Sequence, residues 1–177
     1  MECRRLLHLL KRLLRLLDQL ADLTGKLVAP LLGVMLIATF IVVISRYGFD
    51  YGAVKLQESV LYLHACVFML GFAYTLKQGG HVRVDIIYQR LGDRGRAIVD
   101  LVGTSLFLIP MCGFILYASF DYVSFSWQLK EGSAEPGGLP FVYLLKTIIP
   151  ISAGLLILQG LAELLRNLLR LGQSNHG

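Results

Sequence analysis

Few side chains in this 177-residue chain could do chemistry: 12 Asp and Glu, 17 Lys and Arg, four His and three Cys. Cys3, Cys66 and Cys112 form no Cys-x-x-Cys pair; one lies near the N-terminus and two inside apolar runs. They read as packing residues or inert thiols. His8, His64, His81 and His176 lack metal-ligand spacing with each other or with a cysteine, so no metal site is expected. Only His64 stands deep inside an apolar run. A bis-histidine haem would need a second histidine at matching depth, and the other three fall outside the apolar runs. The expected role of His64 is that of a hydrogen-bonded packing residue. The sequence shows no paired carboxylates, no nucleophile beside a base, no P-loop and no Gly-x-Gly-x-x-Gly. Neither catalysis nor a cofactor is expected.

The elements that hold these residues are set by composition. Hydrophobic residues make up 55% of the chain and charged residues 16%, with a mean hydropathy of +0.64. A soluble domain carries about 25% charge. The deficit excludes a disordered chain, a collagen-like repeat and an ordinary soluble globule. The formal charge of +5 comes from bases flanking apolar runs, not from a basic patch interleaved with aromatics. No nucleic-acid partner is therefore expected.

A membrane crossing needs about 20 apolar residues. Residues 27–45, 59–76 and 101–120 are free of charge, and 147–162 follows the apolar stretch 139–145 with Lys146 as the one interruption. A lysine near a helix end reaches the headgroups on its long stem. The expected fold is an all-α integral membrane protein with four transmembrane helices, at about 27–48, 57–77, 98–121 and 140–165. Lys and Arg beside the spans number six, two, five, two and two in chain order. By the positive-inside rule this places both termini and the middle loop in the cytoplasm.

Residues 1–26 repeat Leu on one helical face, from Leu6 to Leu20, and carry Arg4, Lys11, Arg12 and Arg15 on the other. The recurring bases argue against a signal peptide and for an amphipathic helix lying on an anionic membrane surface, with lipid or a membrane subunit as its partner. Gly79-Gly80 should end the second span. Asp85 should cap a short cytoplasmic amphipathic helix containing Ile86, Ile87, Tyr88 and Leu91, and Asp93 should cap the third span. Pro140 suits the first turn of the fourth span and Pro150 should kink it. Residues 172–177 read as a flexible tail. Near the span ends, Glu58 has Lys146 as a geometrically possible partner, although Lys146 and Arg46 could equally snorkel unpaired. Glu163 and Arg166 stand three apart on one helix face.

Two stretches carry a resemblance. Gly71-Phe-Ala-Tyr-Thr-Leu-Lys-Gln-Gly-Gly-His81-Val-Arg83-Val-Asp85 resembles the signature of the small, DctQ-type membrane subunit of tripartite ATP-independent periplasmic (TRAP) transporters. Ser126-Trp127-x-x-x-Glu131-Gly-Ser133, Gly137-Gly138-Leu139-Pro140, Lys146-Thr-Ile-Ile-Pro150 and Gln159-Gly160 are similar to its mannitol and chloroaromatic-compound branch. The resemblance covers roughly residues 40–165. It implies a component of a bacterial inner-membrane importer of organic acids, driven by a sodium gradient, in which a periplasmic binding protein delivers solute to a large elevator-type subunit. The small subunit would brace that subunit's scaffold. On this basis His81, Arg83 and Asp85, with Glu58, Lys146 and Arg46, are expected to have structural or partner-interface roles. Trp127, Lys130, Glu131 and Glu135, in the longest outer loop, are expected to face the binding protein, with an aromatic-belt position at the membrane interface as the competing account of Trp127. The competing expectation is a haem- or quinone-associated membrane anchor of a respiratory enzyme.

Overall fold

The computed structural model describes the backbone of residues 2–80 and 91–174, and side chains for 8–80, 91–92, 94–169 and 171. All regular elements among the described residues are helical. Helix α1 runs over Glu2–Gly48 and α2 over Val54–Lys77. Helix α3 (Asp93–Gly103) passes through a π-helical turn (Thr104–Leu108) into α4 (Ile109–Leu129), and α5 occupies Val142–Ser174. Among the described residues four helices are long and apolar enough to cross a membrane: 8–48, 54–77, 94–129 and 142–169.

Several boundaries differ from the sequence expectation. The third span, expected to end at 121, runs on to Leu129, so that Trp127 lies in the helix and not in the loop, and the fourth runs to Ser174. The stretches 1–26 and 27–48 are not separate helices: from Glu2 onward α1 continues without a break through Pro30. The third span begins at Asp93, with Gly92 in the capping position at φ −66° and ψ 169°. Pro140 precedes the fourth span: α5 starts at Val142, and the Phe141 carbonyl accepts from the Leu144 and Leu145 amides. Pro150 lies inside α5. The short helix expected after Asp85 falls mostly on residues 81–90, outside the described residues.

Helix α2 stops as its glycines predict. Gly79 turns left-handed at φ +68°, the Gly80 amide donates to the Thr75 carbonyl at 2.9 Å, and Gly79 donates to Leu76 at 3.1 Å. This is a Schellman closure. Helix α4 ends the same way, with Glu131 donating to Ser126 and Lys130 to Trp127. Here a lysine holds the left-handed position, at φ 45°.

The π turn has a cause in the sequence. Pro110 has no N–H, and its ring crowds the carbonyl of Leu106 four residues back. Just upstream the helix widens, and the Ile109 amide reaches Thr104, five residues back instead of four. The widened turn rests on Gly160 of α5, where an added Cβ would meet Leu108 Cδ2 at 2.8 Å.

Helix α5 is the hub, packed against α1, α2, α3, the π turn and α4. Most buried positions are small or polar, with Val28, Leu76, Cys112 and Val123 as the other buried apolar residues. Ala21, Ala73, Ala97, Ala153 and Ala162 are buried, as are Thr104, Ser119, Ser126, Ser152, Gln159 and Asn167. Large apolar side chains such as Leu36, Phe40, Phe107 and Phe114 point outward. Lipid tails are as apolar as leucine, so membrane helices associate through close backbone approach and hydrogen bonds rather than through hydrophobic burial. Gly25 shows that approach: a Cβ there would lie 2.5 Å from the Tyr74 ring. Several hydroxyls within the spans are satisfied locally, as where Thr39 donates to Met35 and Thr75 to Gly71, whereas the buried Tyr62 hydroxyl has no partner among the described residues.

Candidate functional site: two polar locks at the ends of the bundle

The first lock joins α2, the α4–α5 loop and α5. The Glu58 carboxylate, in the second turn of α2, accepts from the Ser133 hydroxyl and, at 2.5 Å, from the Leu139 amide. Ser133 also donates its own amide to the Leu139 carbonyl at 2.9 Å and accepts from the Glu135 amide at 3.1 Å. Glu58 therefore closes the loop on itself. The loop comes close enough only because residue 138 has no side chain: a Cβ on Gly138 would strike Ser133 and lie 2.7 Å from Glu58 Oε1.

Lys146 does not pair with Glu58 and is not a free snorkelling lysine. Its ammonium sits 2.5 Å from Glu131 Oε2 and 4.1 Å above the Tyr122 ring. Ser126 donates to the same Glu131 oxygen at 2.7 Å. The bonds from Lys146 and Ser126 hold the Glu131 carboxyl below its ordinary value. Glu131 is the residue that the Schellman turn at Lys130 brings back over α4, so turn geometry decides which acid reaches the lysine. Beside this pair, the Trp127 indole N–H donates to Thr147 Oγ1 at 2.8 Å, and its ring meets Tyr143 edge-on at 4.7 Å. Lys130 and Glu135 are exposed, as is Arg46 in the last turn of α1.

The second lock lies at the other end and joins α1, α2 and α5. Arg166 of α5 donates to both carboxylate oxygens of Asp18 at 2.8 and 3.0 Å, and to Glu163 at 2.5 Å. Lys77, at the end of α2, pairs with Asp22 at 2.6 Å and donates to the Asp18 carbonyl at 3.2 Å. Gln159, 2% exposed, reaches Asp18 at 3.4 Å. The Glu163–Arg166 pair follows from spacing. The join to Asp18 does not, because 148 residues separate the partners. A signal was nonetheless present: Asp18 and Asp22 are acids one turn apart on a helix whose other charged residues, Glu2 apart, are all basic. Ser133 falls within the stretch that carries the resemblance, but nothing in its spacing points to Glu58, 75 residues away.

His81, Arg83 and Asp85 lie outside the described residues. His64 is not the enclosed, hydrogen-bonded residue expected. It is exposed on the outer face of α2 and stacked against Phe68 at 5.8 Å. Among the described residues no group of three or more His, Cys, Asp or Glu could hold a metal ion.

Comparison with known proteins supplies what geometry cannot. The family model described as tripartite ATP-independent periplasmic transporters, DctQ component, matches residues 35–170. A protein of Haemophilus influenzae (strain ATCC 51907 / DSM 11121 / KW20 / Rd) named "Putative TRAP transporter small permease protein" is 29% identical over 111 residues, which is 62% of this chain. The matched stretch spans 66%, just under two thirds, of that relative's own length. No solved structure matches.

Proposed function

The chain belongs to the DctQ family of TRAP transporter components, and from that premise we propose that it is the brace of a three-part importer. In this reading a large elevator-type membrane subunit imports an organic acid, driven by a sodium gradient. A periplasmic binding protein delivers the solute, and the present chain stiffens and widens the stationary part of the large subunit in the bacterial inner membrane. Both termini face the cytoplasm, following the excess of Lys and Arg on that side.

The observation that supports this reading is the pinning of α5 toward both ends, by Glu131–Lys146 and by Asp18–Arg166. A moving carrier needs discontinuous helices and polar groups near the midplane. This bundle is instead built to stay still. The loop lock presents Lys130 and Glu135 outward and keeps Trp127 and Glu131 for its own integrity. The binding protein would therefore meet the first pair while depending on the second for the loop's shape. At the opposite end, His81, Arg83 and Asp85 would fix the corner against the large subunit.

Purification of the tagged chain from native membranes tests the proposal. Recovery of a much larger multi-span protein near one-to-one is the expected result. Recovery of the chain alone, or with a haem-bearing enzyme, overturns it. Alanine at His81, Arg83 and Asp85 together should lower that recovery. Charge reversal at Lys130 and Glu135 should lower uptake and leave assembly intact.

A further inference from the structure

His64 lies deep inside the uncharged run 59–76, the part of α2 that a bilayer would enclose. At about 1.5 Å per residue along the helix, it is about 9 Å from Glu58 and about 20 Å from Lys77, the charged residues that bracket the uncharged run 59–76. The imidazole has no long flexible stem with which to reach the headgroups at either end, as Lys and Arg have. Its ring is nevertheless on the outside of the bundle, oriented by stacking on Phe68 at an interplanar angle of 12°. A neutral imidazole carries one N–H donor and one nitrogen acceptor, and among the described residues neither has a hydrogen-bond partner. Lipid tails supply neither, and ionisable groups inside membranes almost always face protein or a water-filled cavity.

The rest of the helix narrows the choice of surface. Along the uncharged run only Leu61, His64, Phe68 and Tyr74 are exposed, and Tyr74 lies against Gly25 of α1. Leu61, His64 and Phe68 recur at three and four residues and so form one stripe, left open while α1 and α5 cover other parts of α2.

We infer that the Leu61–His64–Phe68 stripe of α2 is the seat of the large membrane subunit, one of whose helices presents a hydrogen-bonding group to the His64 ring inside the hydrocarbon. The inference rests on the reading of this chain as that subunit's partner and adds the face and the chemistry by which the two meet.

Photo-crosslinking in native membranes tests it. A photoreactive phenylalanine analogue is placed at Leu61 or Phe68, with the same analogue at Phe114 and Tyr117 on the exposed side of α4 as the comparison. Each product is identified by mass spectrometry. Crosslinks from 61 and 68 to the large subunit are expected. A second measurement uses substitution: His64→Leu should reduce co-purified large subunit about 5-fold, the size of one interhelical hydrogen bond in a membrane, and His64→Gln should restore most of it. If the large subunit co-purifies but is reached only from 114 and 117, or if 61 and 68 yield only lipid adducts or a second copy of this chain, the stripe is not the seat. If no large subunit co-purifies with the unsubstituted chain at all, the bracing role itself has failed, which is a distinguishable result.

Discussion

The loop lock concentrates its sensitivity in two residues. Gly138 gives Ser133 and Glu58 the space they share, so Gly138→Ala should force the loop off the α2 carboxylate. The cost expected for overpacking a tight contact is about 1–3 kcal/mol, read as a lower midpoint in thermal unfolding of the detergent-solubilised protein. Glu131 titrates with a defined sign. Its folded value is held below the ordinary 4.5 by the bonds from Lys146 and Ser126. Its contribution is therefore fully present above about pH 4.5 and is lost as pH falls through the lowered folded value. Thermal midpoints measured from pH 7 down to pH 3 should drop in this acid window, and Glu131→Gln should flatten the part of the profile that Glu131 provides. Neither residue announces its role in the sequence. Glycine and glutamate in a turn-rich loop are ordinary, and only the left-handed backbone at Lys130 selects Glu131 over Glu58 as the partner of Lys146.

At the scale of elements, the Asp18–Arg166 bond ties the first helix to the last. Arg166 is also held by Glu163, so Asp18→Asn should loosen the junction without freeing the arginine. In a double-mutant cycle with Arg166→Gln, the coupling should be about 1 kcal/mol, in keeping with a partly exposed pair. The helices themselves were legible. Uncharged runs of about 20 residues have no other use in a chain this apolar, and all four were found. The boundaries were less so. The leucine-and-base pattern gives way to an uncharged run at residues 26 and 27, which suggests a junction, yet a change of pattern does not interrupt backbone hydrogen bonds, and α1 runs through it. Asp93 and Pro140 are favourable near a helix start, but that preference leaves an uncertainty of a residue or two. The π turn is the local answer to Pro110, a residue to which the sequence reading assigned no role. Side-chain pairings between distant helices were beyond reach, since spacing along one chain fixes faces and not neighbours. This is why Glu163–Arg166 was foreseen and Asp18–Arg166 was not.

For the molecule as a whole, the distribution of bases predicts the sidedness of the two locks. Single cysteines introduced at Glu135 and Arg15, with Cys3, Cys66 and Cys112 replaced, should respond oppositely to a membrane-impermeant maleimide. Position 135 should label from the periplasmic side in intact spheroplasts and position 15 only after permeabilisation. Labelling in the reverse order would invert the bundle and remove the loop lock from the reach of any periplasmic protein.

The unbroken first helix has one more consequence. Its 47 residues amount to about 70 Å, more than twice the thickness of the hydrocarbon, and some 16 of them extend past Asp18 toward the N-terminus, about 24 Å of rod. Leu9, Leu13 and Leu16 are exposed on that rod, interspersed with the basic positions Lys11, Arg12 and Arg15. A stiff rod cannot stand upright in one half and lie flat in the other. If its leucines adhere to the anionic leaflet, the whole of α1 must lean, and through Asp18 and Asp22 it takes α5 and α2 with it. The lipid charge of one leaflet then acts as a torque on the entire bundle, and the angle at which the protein sits in the bilayer becomes a property of the membrane as much as of the chain.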